Sequence, residues 1–252
     1  MEMLELREYS GAMLSVLISG CEEQRHAGFF INEGAEPELI HLGWHLRLYN
    51  NTEAEYRSLI GEFSAFECSH LLDEQVEEVV SFVKTIWRKN HRKVPYGIAS
   101  DNFSRFFDGE GGVANRNPGT GLTCATFLMS VFASQLYPVI DEKTWKSRGS
   151  DREWQDKVLD KLLEYDPELS DHVSEQRKFV GKAFRYRPEE VVACSALYDY
   201  EAFSFDPAVQ MGELLVQKLR ESGVLLATKP AAEASDSDEA VLGVESMTGE
   251  EG

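Results

Sequence analysis

The chain has 252 residues, 42% hydrophobic and 27% charged, which suits a soluble globular protein able to bury a sizeable core. Its formal net charge of −19 argues against nucleic-acid backbones and anionic membrane surfaces as partners. The four cysteines, Cys21, Cys68, Cys124 and Cys194, form no CxxC pair, so neither a zinc ribbon nor a dense disulfide framework is indicated.

Reduced thiols in a cytoplasmic protein are the expectation. No apolar run reaches the roughly 18 residues that span a bilayer. Ile18-Ser19-Gly20-Cys21 reads like a lipoprotein cleavage box. The segment before it carries Glu2, Glu5 and Glu8 against Arg7, where an export signal should be positive.

In chain order, residues 12–18 form a short apolar run ended by Ser19-Gly20, a buried-strand pattern. Residues 26–31 repeat it, and Asn32-Glu33-Gly34 is a turn signal. From Leu39 to Leu48 the chain alternates, with Ile40, Leu42, Trp44, Leu46 and Leu48 on one face and Leu39, His41, Gly43, His45 and Arg47 on the other. An antiparallel sheet of at least three strands is expected.

Helical periodicity then takes over at 52–63, opened by Thr52 with Glu55 three residues on, and at 73–90. A short helix is expected over 102–107, followed by a Gly-rich loop over 109–121. That loop lacks the lysine of a phosphate-binding loop and reads as a flexible segment near the next helix. Thr123 is a natural N-cap for an apolar helix running to about Leu136, where Pro138 stops it. Further helices are expected at 151–165, 168–184, after Pro188 and over 207–222. Residues 230–252 hold seven acidic residues, no Lys or Arg and no periodicity, which is a disordered composition. Without them the net charge is still −12, so the body is acidic too.

The helix start at Cys124 carries chemistry. A thiol in the first turn sits at the positive end of the helix dipole beside unpaired amides, which favour a thiolate and can hold a developing oxyanion. Such a nucleophile needs a base within hydrogen-bond reach and a third group to orient that base. The available imidazoles are His26 at a strand start and His41 or His45 on the alternating segment; His91 and His172 lie in polar helical surroundings and read as surface residues. Asp101, Asp108 and Glu110 are not spaced as a metal set, and no cofactor is indicated. The plain alternative for Cys124 is a small buried core residue.

The run Arg25-His26-Ala27-Gly28-Phe29-Phe30-Ile31, a Glu33-Gly34 turn, and Glu38-Leu39-Ile40-His41-Leu42 resembles the hairpin of circularly permuted papain-like thiol hydrolases. That superfamily includes NlpC/P60, YiiX-like amidases and lecithin:retinol acyltransferase-like enzymes. Its base precedes its nucleophile in sequence, as His26 precedes Cys124. The resemblance covers about residues 12–48 and 94–137. It implies Cys124 as nucleophile, His26 as general base and His41 as the residue orienting His26, with the Cys124 amide in the oxyanion hole. His45 remains the alternative third residue, and Tyr96 a weaker match to an aromatic upstream of the nucleophile. Thr123-Cys124-Ala125-Thr126 departs from the nucleophile motifs of both the acyltransferase and amidase branches, which leaves the subfamily open. If the Cys124 helix packs on the apolar face of the alternating segment, His41 points away from the thiol.

The expectation is thus an α+β protein: a small antiparallel sheet packed on a central Cys-bearing helix over 1–145, a helical annex over 146–229 and an acidic tail over 230–252. The expected activity is hydrolysis of a peptide, isopeptide or peptidoglycan-like amide, and the substrate is peptide-like or a protein. The alternatives are a non-catalytic interaction protein on the same scaffold, and a lipid acyltransferase or phospholipase.

Overall fold

The computed structural model describes residues 5–225 apart from 101, 115, 116 and 118. The expected tail at 230–252, and part of the loop at 109–121, lie outside the described residues. The chain is α+β. Five strands, β1 (Leu14–Gly20), β2 (Arg25–Ile31), β3 (Glu38–Trp44), β4 (Arg47–Asn51) and β5 (Phe63–Glu67), form one antiparallel sheet in the order β4-β3-β2-β1-β5. β1 is interior, paired with β2 from Leu14↔Ile31 to Gly20↔Arg25 and with β5 from Ser15↔Glu67 to Ser19↔Phe63. Cleavage before Cys21 would remove it.

Two strands differ from the sequence expectation. The alternating segment 39–48 is not one strand: it reverses at His45-Leu46, with Leu46 at φ 57°, and returns as β4. The turn pairs Trp44 with Arg47, an even with an odd position, and a register shift between Leu42 and Trp44 restores the parity, so Leu48 pairs with Leu42 and lies on the face of Ile40. Leu46 itself is exposed. Turn backbone is held from outside, by Leu46 N–H to Val94 O (2.9 Å) and Leu48 N–H to His91 O (3.1 Å). The helix expected over 52–63 stops at Leu59 (α1, Glu53–Leu59), and Gly61 at φ 116° turns the chain into β5. Pairing with β1 overrides helical periodicity there.

Both faces of the sheet are covered. On one, Leu14, Val16, Ile18, Ala27, Phe29, Ile31, Ile40, Leu42, Leu48 and Phe66 join a large core with α2 (Asp73–Asn90) and α3 (Cys124–Ser134). On the other, Leu17, Phe30, Leu39 and Ala65 pack with Tyr56 of α1 in a smaller cluster. Helix α3 is apolar all round, with Phe127, Leu128, Val131 and Phe132 fully buried, as expected of a helix enclosed by protein. Burial of each such side chain contributes about 1.5–3 kcal/mol. Phe29 meets both Phe127 (5.9 Å, edge-on) and Phe132 (5.5 Å) and locks α3 to β2.

The C-terminal region holds α4 (Asp151–Tyr165), α5 (Ser170–Arg177), α6 (Pro188–Ala196) and α7 (Phe205–Glu221). The helix expected over 168–184 is shortened to α5, where only Val173 and Gln176 are buried. α6 is buried along nearly its whole length and packs on β1, β2 and α3, so this region shares the main core. Among the described residues no helix is long and apolar enough to cross a membrane.

Candidate active site

Cys124 opens α3. Thr123 caps the helix: its hydroxyl accepts from Thr126 N–H (3.2 Å), and Thr126 Oγ1 accepts from Thr123 N–H (2.8 Å). This reciprocal cap leaves the first-turn amides facing the sulfur. The amides of Ala27, Ala125 and Cys124 itself all stabilise a thiolate at Sγ. Burial outweighs them and lifts the thiol to about 11, and Glu189 adds to the lift. Cys124 is only 6% exposed.

Contact with Ala27 depends on how the sheet opens. β2 pairs with β3 from Ile31↔Glu38 only as far as Phe29↔Ile40, whereas its pairing with β1 continues to Arg25. The Ala27 amide, on the stretch that β3 no longer pairs, reaches the thiol. His41 does lie opposite the apolar face, with Leu39. The opening, and a second covered face, are what the alternation alone could not disclose.

On that opposite face a chain of side chains runs back from His26. His26 Nε2 lies 2.9 Å from His41 Nδ1, and His41 Nε2 lies 3.0 Å from Asn51 Oδ1. The Glu55 carboxylate, which accepts from Thr52 N–H (2.8 Å) as the cap of α1, is held below its ordinary pKa chiefly by that bond and also by Asn51 nearby. With Asn51 Oδ1 facing it, His41 carries its proton on Nε2 and accepts at Nδ1. His26 then donates from Nε2 and keeps a lone pair on Nδ1. The network assigns the tautomer a base requires.

Gly28 permits the crossing: a Cβ there would sit 2.7 Å from the Cβ of His41. The ring of Tyr56 packs edge-on to His41 (5.0 Å), and its hydroxyl pairs with Ser19 Oγ (2.8 Å). The phenols of Tyr56 and Tyr96 are both raised, chiefly by burial, and both feel a charge on Cys124. Beside the thiol, Glu189 of α6 pairs with Arg25 (3.5 Å), the residue preceding His26.

His45, the alternative third residue, belongs elsewhere. Its Nδ1 accepts from Tyr96 N–H (3.3 Å) and its ring packs on His172 (4.8 Å). His172, expected at the surface, is half-buried and bonds Tyr96 O (2.8 Å). Asn51 and Glu55 were not expected in the site. The reading of 39–48 as a single strand left Asn51 beyond its end, whereas β4 brings it opposite Leu39 on the face of His41. Cys68 and Cys194 are buried with thiols raised by burial, Cys68 to about 12, and all four cysteines are free. Among the described residues no three His, Cys, Asp or Glu side chains converge as a metal set.

Burial holds His26 well below 6.5, reinforced by His41, and brings His41 and His45 to about 4. An unfolded chain protonates these imidazoles near about 6.5. Between about 6.5 and 4 it binds more protons than the fold, so stability falls as pH drops through that window. The urea midpoint is expected to be clearly lower at pH 5 than at pH 7.5, with the His26 and His41 ring resonances still neutral at pH 5.5. Protonated rings in the folded protein at that pH would contradict the burial.

No family model matches the sequence, and neither a curated protein nor a solved structure matches it.

Proposed function

We propose that the chain is a cysteine hydrolase that cleaves a peptide-like amide through an acyl-enzyme on Cys124. The observation that carries this reading is the Asn51-His41-His26 chain, which ends in an imidazole tautomer with a free Nδ1 on the residue before Ala27, whose amide favours a thiolate at Cys124. A core cysteine needs no such arrangement. The resemblance of the His26–His41 hairpin to permuted papain-like hydrolases supports the same assignment.

In the resting state both groups are neutral, since the thiol lies near about 11 and His26 below 6.5. His26 Nδ1 takes the thiol proton as sulfur attacks the carbonyl carbon, and His41 accepts the Nε2–H of the imidazolium that forms. The α3 amides of Cys124 and Ala125, which already face the sulfur, hold the oxyanion. Collapse breaks the C–N bond, and His26 returns its proton to the leaving amine. Water, deprotonated by His26, then attacks the thioester and releases the acid and the thiol. The net reaction is amide plus water to acid plus amine.

An acidic surface disfavours nucleic acid and anionic lipid as substrate, which leaves a peptide or protein amide. Four free thiols suit a reducing cytoplasm.

A peptidyl vinyl sulfone tests the proposal. A single adduct on Cys124 is expected by peptide mapping, with labelling falling at least about tenfold in His26→Ala, where the thiol remains but its base is gone. The labelling rate should carry an acid limb displaced well below pH 6.5, because burial holds the His26 imidazole neutral down to that range. Labelling of Cys21 with Cys124 inert would favour a non-catalytic interaction protein.

A further inference from the structure

A second site lies at the outer edge of the sheet, away from the thiol. A cleft of about 490 Å³ between β4 and the end of α2 is lined by Arg47, Tyr49, Asn50, Trp87, Arg88 and Arg92, with Leu48 and His91 completing the wall. No carboxylate lines it. In a chain with 44 acidic and 25 basic residues, a wall of this sign is a local reversal.

Many of the cations elsewhere are neutralised. Arg25, Arg57, Lys84, Arg148, Arg177 and Arg220 each pair with a carboxylate. Among the described residues, Arg47, Arg88 and Arg92 form no ion pair. Glu38 is close enough to feel Arg88, yet it is held by Lys84 (2.5 Å) and Asn50 (2.6 Å). Stabilisation of the helix C-terminus accounts for Arg88, in the last turn of α2. It does not account for Arg47, which comes from β4 and donates to the Tyr165 hydroxyl (3.5 Å), or for Arg92, which lies beyond the helix.

The wall is also built. Leu48 N–H to His91 O and Leu46 N–H to Val94 O tie β4 to the segment after α2 and hold together the two elements that carry the arginines. Asn90, buried at the helix end, bonds Ile86 O (2.8 Å) and Gly111 O (2.6 Å) and anchors the same turn. Guanidiniums recognise phosphate oxygens bidentately, and the half-buried rings of Trp87 and Tyr49 in the wall offer apolar surface to a flat ring. The volume falls within the range of about 300–1,000 Å³ typical of small-ligand sites.

We propose that this cleft binds a small phosphate-bearing ligand with a flat ring, of the size and chemistry of a nucleoside monophosphate. Binding there does not depend on the chemistry at Cys124. Tyr49 lines the cleft and also packs on His41 (5.3 Å), and Asn50 precedes Asn51, so an occupant touches the back of the wall that carries the His41 network.

Titration calorimetry on the full chain at low ionic strength, with AMP, inorganic phosphate and a Glu-rich peptide as separate probes, tests the proposal. AMP is expected to bind, at least about tenfold tighter than phosphate because the ring contributes, and to weaken with added salt. Arg88→Gln/Arg92→Gln, which leaves the ladder and the buried Asn90 anchor in place, should weaken AMP at least about tenfold. Arg47→Gln provides a second variant on another element, should the first fail to fold. Absence of AMP binding, equal affinity for phosphate, a preference for the acidic peptide, or AMP affinity unchanged in folded variants would each overturn it.

Discussion

Cys124→Ala is expected to abolish hydrolysis of a peptide amide or activated ester, lowering kcat/KM at least about a thousandfold, while the protein stays folded. Alanine removes only the sulfur. Burial already keeps the thiol neutral at pH 7, so no buried charge is left unpaired by the change. His26→Ala should cost nearly as much, and the double variant little more, because nucleophile and base act in one proton transfer and their losses do not add.

His41→Leu separates positioning from chemistry. It frees the His26 ring from the tautomer that Asn51 imposes, so kcat should fall well before KM changes, and the acid limb of the pH profile should shift with it. Full activity in Cys124→Ala would remove the proposed function. Full activity in His41→Leu would remove only the role of the network behind His26.

The second large effect is on stability. Phe29→Ala is expected to cost about 3–5 kcal/mol, read as a lower urea midpoint at unchanged slope. Phe29 is fully buried and makes ring contacts with Phe127 and Phe132 on successive turns of α3. Truncation leaves a cavity between β2 and the helix that carries the thiol, and backbone on both sides is held by pairing or helix bonds and cannot collapse into it. Phe29→Leu refills most of that volume and should recover much of the loss. A cost below about 1 kcal/mol for the alanine variant would mean that the sheet and α3 do not meet there.

How much of this was legible in advance varied by element. Helices α2 and α4 match the boundaries that periodicity predicts, 73–90 and 151–165, since each buries one regular stripe and little else competes. β5 was illegible because Ser64-Ala65-Phe66 is a strand only by virtue of β1 beside it. α6 reads as a short fragment after a proline, yet it covers β1, β2 and α3. Its importance comes from where the chain returns, which local composition does not record.

The site divides in the same way. Thr123 before Cys124, an apolar helix behind them, and a histidine opening a strand of a hairpin are local facts, and the sequence by itself determined them through capping and alternation. Which imidazole stands behind His26 was a tertiary decision. His41 and His45 share a parity and differ by four positions, so period two could not rank them. The turn at His45-Leu46 takes His45 out of the sheet to His172, and leaves His41 between His26 and Asn51. The parting of β2 from β3 beyond Phe29 leaves the Ala27 amide, which favours a thiolate at Cys124, on a stretch that β3 does not pair. Both depend on strand pairing across the sheet, a long-range contact that no window of sequence contains.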